Sequence, residues 1–211
     1  MNAATDEQLL LDYLSGASNA FEELVRRHYQ ELHQFVLRFT NNASTADDIV
    51  QDAFVQMHQS AANFDPTRRL KPWLFTIAAN KARDYLRSRS RRQEVPLDAQ
   101  IGAEGESSQR FSDLLADPGT GALEEMAAEE TRQSVREVVD QLPPNLREVL
   151  VLAYFHRFPY KELAEILNIP LGTVKSRLHA AVAEFGTRYR AMIEARSTVR
   201  HSAQTVDETV R

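Results

Sequence analysis

His28, Glu31 and His33 come nearest to a metal-ligand set in this sequence. They lack the two histidines four residues apart with which a helix holds zinc, so no metal is expected there. A chain with no cysteine has no thiolate ligand, no cysteine nucleophile and no disulfide. Neither a Gly-rich phosphate loop nor a G-x-S-x-G elbow occurs. The residues that remain are suited to binding rather than bond-making. Arg68, Arg69, Lys71, Lys81, Arg83, Arg87, Arg89, Arg91 and Arg92 fall in one segment against Asp84 alone. Such a cluster in a chain of net charge -5 is the local footprint of phosphate binding. The helix dipole favours cations at a helix end, and this explains the last few arginines but not the whole run. Thr173, Lys175, Ser176, Arg177 and His179 form a second polar set, and Asp47, Asp48, Gln51, Asp52 and Gln56 an acidic third.

These sets need helices to position them. Leu163, Ala164, Ile166 and Leu167 have helical spacing, and Asn168 to Gly172 interrupts. Pro170 lacks a donor and Gly172 tolerates a positive φ. A second helix from about Thr173 carries Val174, Leu178, Ala181, Val182 and Phe185 on one stripe. The polar set lies mostly off that stripe near the helix N-terminus, where the recognition helix of a helix-turn-helix meets DNA. Upstream, Thr5 to Gln8 reads as a capping box, and Gly16 ends a short helix. Asn19 with Glu22 can cap a helix running to Asn41-Asn42, and Ser44 or Thr45 the next. The latter carries Ile49, Val50, Ala53, Phe54 and Met57 and leaves Asp48, Gln51 and Asp52 outside its apolar stripe. Acceptors at i, i+3 and i+4 suit a basic partner helix. Asn63 to Pro66 reads as a turn, and a helix follows to about Arg92 with Trp73, Leu74, Ile77, Ala78, Tyr85 and Leu86 as apolar members. Trp73 suits either the core, as its stripe position favours, or stacking on an unpaired base.

From Glu94 to about Thr120 the composition turns to Gly, Ser, Pro and acids, which predicts a flexible linker. A second helical unit follows, with Val135, Val138, Val139 and Leu142 before Pro143-Pro144 and a further helix from Leu146. After Ala195 a polar, frayed tail is expected. Hydrophobic residues make up 43% of the 211, charged residues 26%, and no apolar run approaches the ~20 residues of a membrane span. The acidic N-terminus lacks a signal peptide's basic start, and with no cysteine in the chain the cytoplasm is the expected compartment. The fold class expected is all-α, in two helical domains.

The wording of these segments resembles the extracytoplasmic-function (ECF) group of bacterial sigma factors. E-L-A-E-I-L-x-I-P-x-G-T-V-K-S-R-L and L-P-x(3)-R-E-V-L-V-L are similar to region 4, A-D-D-I-V-Q-D-A-F to region 2.2, and F-D-x(5)-K-P-W-L-F-T-I-A-A-N-K-A-R-D-Y-L-R to regions 2.3 and 2.4. The resemblance implies a region 2 domain over 1–93, a linker over 94–120, a region 4 domain over 121–195 and a tail over 196–211. It implies a non-enzymatic factor, without cofactor, that binds core RNA polymerase and promoter DNA and helps melt the minus-ten element. Asp48, Gln51 and Asp52 would dock on the β′ clamp helices, and region 4 on the β flap. Asn63 to Arg69, with Phe64, Arg68 and Arg69, would form the loop receiving a flipped base; Asn80, Arg83, Asp84 and Arg87 would read the minus-ten strand. Thr173, Lys175, Ser176, Arg177 and His179 would meet the minus-thirty-five element. An anti-sigma factor would be a further partner. The family continues with basic residues after R-L-H; here Ala180 to Ala183 follow, and Pro159 replaces a capping Ser. This implies weaker minus-thirty-five binding or a different sequence read. A stand-alone helix-turn-helix regulator would leave Asp48 to Asp52 and the helix from Trp73 to Arg92 without a role; a hydrolase using His28, Glu31 and His33 would need a metal.

Overall fold

A computed structural model describes residues 4–93 and 122–209, with side chains described for 4–89, 91 and 130–197. Every described element is helical, so the chain is all-α. The expected acidic linker lies outside the described residues. Packing separates two compact units. One holds α1 (Asp6–Leu14), α2 (Ser18–Thr40), α3 (Ala43–Ser60), α4 (Leu70–Gln93) and the segment Val151–Lys175, which contains α7 (Tyr160–Leu167). The other holds α5 (Ala122–Asp140), α6 (Pro144–Leu150) and α8 (Leu171–Thr209) from Ser176 onward.

The helix starts follow capping chemistry. Thr5 Oγ1 accepts from the Gln8 N–H at 3.2 Å, and Asp6 and Glu7 place negative charge in the first turn of α1. Gly16 takes φ 104°, in the turn to α2. α2 begins earlier than Asn19, at Ser18, without a side-chain cap, and ends with Asn41 left-handed. Asn42, rather than Ser44 or Thr45, caps α3: its Oδ1 accepts from the Thr45 N–H at 2.9 Å. Asp65 ties the turn before α4 by accepting from the Thr67 N–H at 2.9 Å and its hydroxyl at 2.7 Å. α4 opens at Leu70, so Pro72 is its third residue; the Leu70 N–H is satisfied by Glu7 of α1 at 2.9 Å.

The first core joins Leu24, Leu32, Phe35 and Val36 of α2, Val50, Ala53 and Met57 of α3, and Leu70, Leu74, Phe75, Ala78, Ala79 and Ala82 of α4. Phe75 is fully buried although it falls off the stripe read from the sequence. α4 packs on α2, α3 and α7, so its buried surface is wider than one stripe. Around Phe75 stand Phe35 at 5.3 Å, His156 at 5.1 Å and Phe158 at 4.9 Å between ring centres.

In the second unit, Val135, Val138, Val139, Leu142, Leu146, Val149, Leu178, Ala181, Val182 and Phe185 are buried. Arg147 closes the end of α5, donating to the carbonyl of Leu142 at 3.0 Å and to that of Asp140. After α6 the backbone widens to a π-turn over Val151–Phe155. α8 continues to Thr209, past the expected start of the tail, because neither glycine nor proline follows Gly186 to stop it.

Candidate nucleic-acid interface

The acidic set stands on α3 with Asp48, Gln51 and Asp52 all exposed. Their spacing puts them on one face, one turn apart. Asp47, beside them, is tied instead to α2: it accepts from the Tyr29 hydroxyl at 2.9 Å and lies 3.2 Å from His33 Nε2. Asp52 lies 3.5 Å from Lys81 Nζ of α4, an open pair of little strength.

The basic set lies on α4 and the turn before it. Asn63 ends a 3-10 turn, Ala61–Asn63, and is exposed. The Phe64 ring is 4.8 Å from Trp73, which is half-buried, so neither core nor solvent claims the tryptophan wholly. Asn80, Arg83, Asp84 and Arg87 follow at i, i+3, i+4 and i+7, one face of α4. Arg83 Nη2 donates to Asn80 Oδ1 at 3.0 Å, and Arg87 pairs with Asp84 at 3.2 Å. Arg68 and Arg69 reach further along the chain: Arg68 meets Glu165 at 2.5 Å and Arg69 meets Glu162 at 2.8 Å. Nothing local in the sequence signals these pairs, which span more than ninety residues.

The third set occupies the first turns of α8. The turn before it is made by Asn168, left-handed at φ 52°, and not by Gly172, which is helical. The Ile169 N–H closes on the Ala164 carbonyl at 3.0 Å, in the manner of a helix C-cap. Pro159 stands at the α7 N-cap and offers no side-chain bond. Val174 and Leu178 are buried, while Lys175, Ser176 and His179 are exposed, and Thr173 and Arg177 flank them one turn apart. Further along, Arg188 is held by Glu184 at 2.6 Å.

The residues considered for metal binding have separate partners. His28 Nε2 lies 2.8 Å from Asp6, and His33 faces Asp47. Glu31 meets Lys71 Nζ at 2.6 Å and His156 Nδ1 at 3.2 Å. Among the described residues no group of metal-binding type assembles.

The profile of sigma-70 region 2 matches residues 24–92, which hold the α3 and α4 sets. That of sigma-70, region 4, matches 132–185, which hold α7 and the start of α8. The ECF RNA polymerase sigma factor SigW of Bacillus subtilis is 35% identical over 167 residues, 78% of this chain and 86% of that protein. The chain belongs to the ECF RNA polymerase sigma factors. A second relative, the RNA polymerase sigma-H factor of Pseudomonas aeruginosa, is 31% identical over 83% of this sigma factor and 89% of that protein. The solved structure of CnrH in complex with the cytosolic domain of CnrY matches at TM-score 0.62 and 26% identity, covering 89% of this sigma factor and 99% of that chain. Membership makes the protein a transcription initiation factor that binds RNA polymerase and promoter DNA, with no chemistry of its own. No described helix is long and apolar enough to cross a membrane.

Proposed function

We propose that this sigma factor docks on core polymerase through Asp48, Gln51 and Asp52 and opens the minus-ten element with α4. The observation that carries this is the division of charge within one bundle. α3 presents an exposed acceptor face, and α4 with its preceding turn presents the cations. The acceptors suit a basic helical partner, the β′ clamp helices. The donors suit a phosphate backbone, with Asn63, Phe64, Arg68 and Arg69 beside a displaced base and Asn80, Arg83, Asp84 and Arg87 along the strand. Thr173, Lys175, Ser176, Arg177 and His179 read the minus-thirty-five element, and region 4 also meets the β flap. Functional boundaries at 1–93, 94–120, 121–195 and 196–211 go with this division of labour, and the protein works in the cytoplasm. A further partner is an anti-sigma factor; the complex of CnrH with the cytosolic domain of CnrY supports a protein partner for this chain.

Flipping a base costs a few kcal/mol. The assembled polymerase supplies this by holding both DNA-binding parts on one promoter at high effective concentration. The free protein should therefore bind duplex promoter weakly and leave it closed. With core polymerase it should make minus-ten thymines reactive to permanganate. Asn80→Ala with Arg83→Ala should reduce that reactivity more than it reduces core binding. Tight, specific binding of promoter duplex by the free protein at physiological salt would instead favour a stand-alone regulator.

Arg177 gives a separate check on α8. Arg177→Ala should cost about 1–3 kcal/mol on promoters that need the upstream element if the guanidinium grips a base. A phosphate contact would lose as much on every sequence and lower the salt slope by about one. Transcription from cognate and scrambled upstream elements at two salt concentrations separates these, and no loss on either removes Arg177 from the interface.

A further inference from the structure

Arg68, Arg69 and Arg83, three cations assigned above to the minus-ten strand, are engaged by α7. Glu165 and Glu162, three residues apart on α7, take Arg68 at 2.5 Å and Arg69 at 2.8 Å. Arg83 donates toward the carbonyls of Leu167 and Ile166, at the C-terminal end of α7, at 3.5 Å each. Two carboxylates and the negative end of a helix thus stand where a nucleic-acid backbone would present phosphates. The two helices also make a tight contact below these pairs: Leu163, Ile166 and Leu167 of α7 are buried, and α7 packs more extensively on α4 than α1 or α2 does. A cavity of about 290 Å³ remains between the paired arginines, Trp73 and the two glutamates.

We propose that α7 is an internal competitor for the minus-ten surface, with Glu162 and Glu165 imitating phosphates on Arg68 and Arg69. The closed arrangement holds the loop 63–69 and the Arg83 face away from DNA until the helix is displaced. The Arg68–Glu165 pair is open to solvent, its side chains 59% and 55% exposed, and in the second pair Arg69 is exposed over a Glu162 that is 18% exposed. The outer pair is therefore weak and reversible, as an exchange between glutamate and phosphate requires, and the inner one keeps its guanidinium within reach of solvent. The same arginines serve both states, so opening uncovers a surface already built. This inference rests on the assignment of Arg68, Arg69 and Arg83 to DNA.

The test uses the full chain and a fluorescent DNA single strand of about 15 nucleotides, long enough for one binding groove. Glu162→Gln with Glu165→Gln should tighten binding of that strand about two- to tenfold, the range expected for releasing two pairs whose guanidinium groups face solvent. Glu22→Gln with Glu194→Gln removes the same charge elsewhere and should change it less; an equal gain overturns the proposal. Because the chain has no cysteine, Ala62→Cys with Lys161→Cys carries two spin labels cleanly. Their separation should be single and short in the free protein, and longer or broader with the single strand or with the two glutamines. A separation unmoved by both sinks the competitor. Arg68→Ala with Arg69→Ala should lose single-strand binding. If it binds normally while the labels still respond to the glutamines, the DNA assignment fails and the latch stands; if it loses binding while the glutamine pair behaves as wild type, the latch fails and the assignment stands.

Discussion

Replacing Asp48, Gln51 and Asp52 together by alanine should weaken the complex with core polymerase by about 2–4 kcal/mol, on the order of 30- to 1000-fold in Kd. The fold should not notice. All three side chains are exposed, and the one described ion pair among them, Asp52 with Lys81 at 3.5 Å, is worth at most about 1 kcal/mol. The urea midpoint should accordingly move little, and helical circular dichroism not at all. A basic partner helix predicts more: the wild-type affinity should fall with salt, and the triple variant should lose much of that slope. Asp47→Asn provides the internal contrast. Its carboxylate is spoken for by Tyr29 and His33 of α2, so it should affect core binding less than Asp48→Asn. Titration of core polymerase with labelled protein at two salt concentrations reads all of these. A triple variant that binds core like the wild type would move the docking surface off α3.

What could be read from the sequence was what repeats locally. The apolar stripe of α3 emerges from spacing: Ile49, Val50, Ala53, Phe54 and Met57 are all buried, and Asp48, Gln51 and Asp52 are the complement of that stripe. α4 was read less well. It touches α1, α2, α3 and α7, so Phe75 is buried at a position that a single stripe assigns to the surface. The helix-turn-helix turn was placed correctly but for the wrong residue. Glycine is the usual bearer of a positive φ, yet Asn168 carries it, an exchange that asparagine's tolerance of the left-handed region permits. The cap of α3 is Asn42 rather than Ser44 or Thr45 for a similar reason, since each of these neighbouring residues carries a side-chain oxygen able to cap a helix starting just after it. The pairs of α7 with Arg68 and Arg69 were out of reach altogether. A glutamate on a polar helix face looks solvated until its partner, more than ninety residues away, is known.

Glu31 shows how much such a distant contact can be worth. In the sequence it stands between His28 and His33 in an incomplete metal-ligand set, and in the structure it joins Lys71 of α4 at 2.6 Å to His156 of the Val151–Lys175 segment at 3.2 Å. An ionised carboxylate only accepts, so His156 Nδ1 carries the proton in this contact. Partial burial works against the Glu31 charge, but the hydrogen bonds from His156 and Lys71, with their charges, outweigh it and lower its pKa from 4.5 to about 2. A lowered carboxylate pKa means that the folded state binds the proton less readily than the unfolded one. The stabilisation is therefore complete above about pH 4.5 and is lost as the pH falls toward about 2. Its full value would be near 3 kcal/mol by linkage, and solvent screening of a side chain 33% exposed reduces that to about 2 kcal/mol. Glu31→Gln keeps the shape and removes the charge. It should cost about 2 kcal/mol in urea unfolding at pH 7, and only roughly two-fifths of that at pH 3, where the wild type has itself lost most of the advantage. The loss should fall first on the tie between α2 and His156, so hydrogen exchange should quicken around Phe158 and α7 before it quickens in α3. A penalty equal at both pH values would assign the effect to packing rather than charge. No penalty at either would show that Lys71 and His156 are satisfied without the carboxylate.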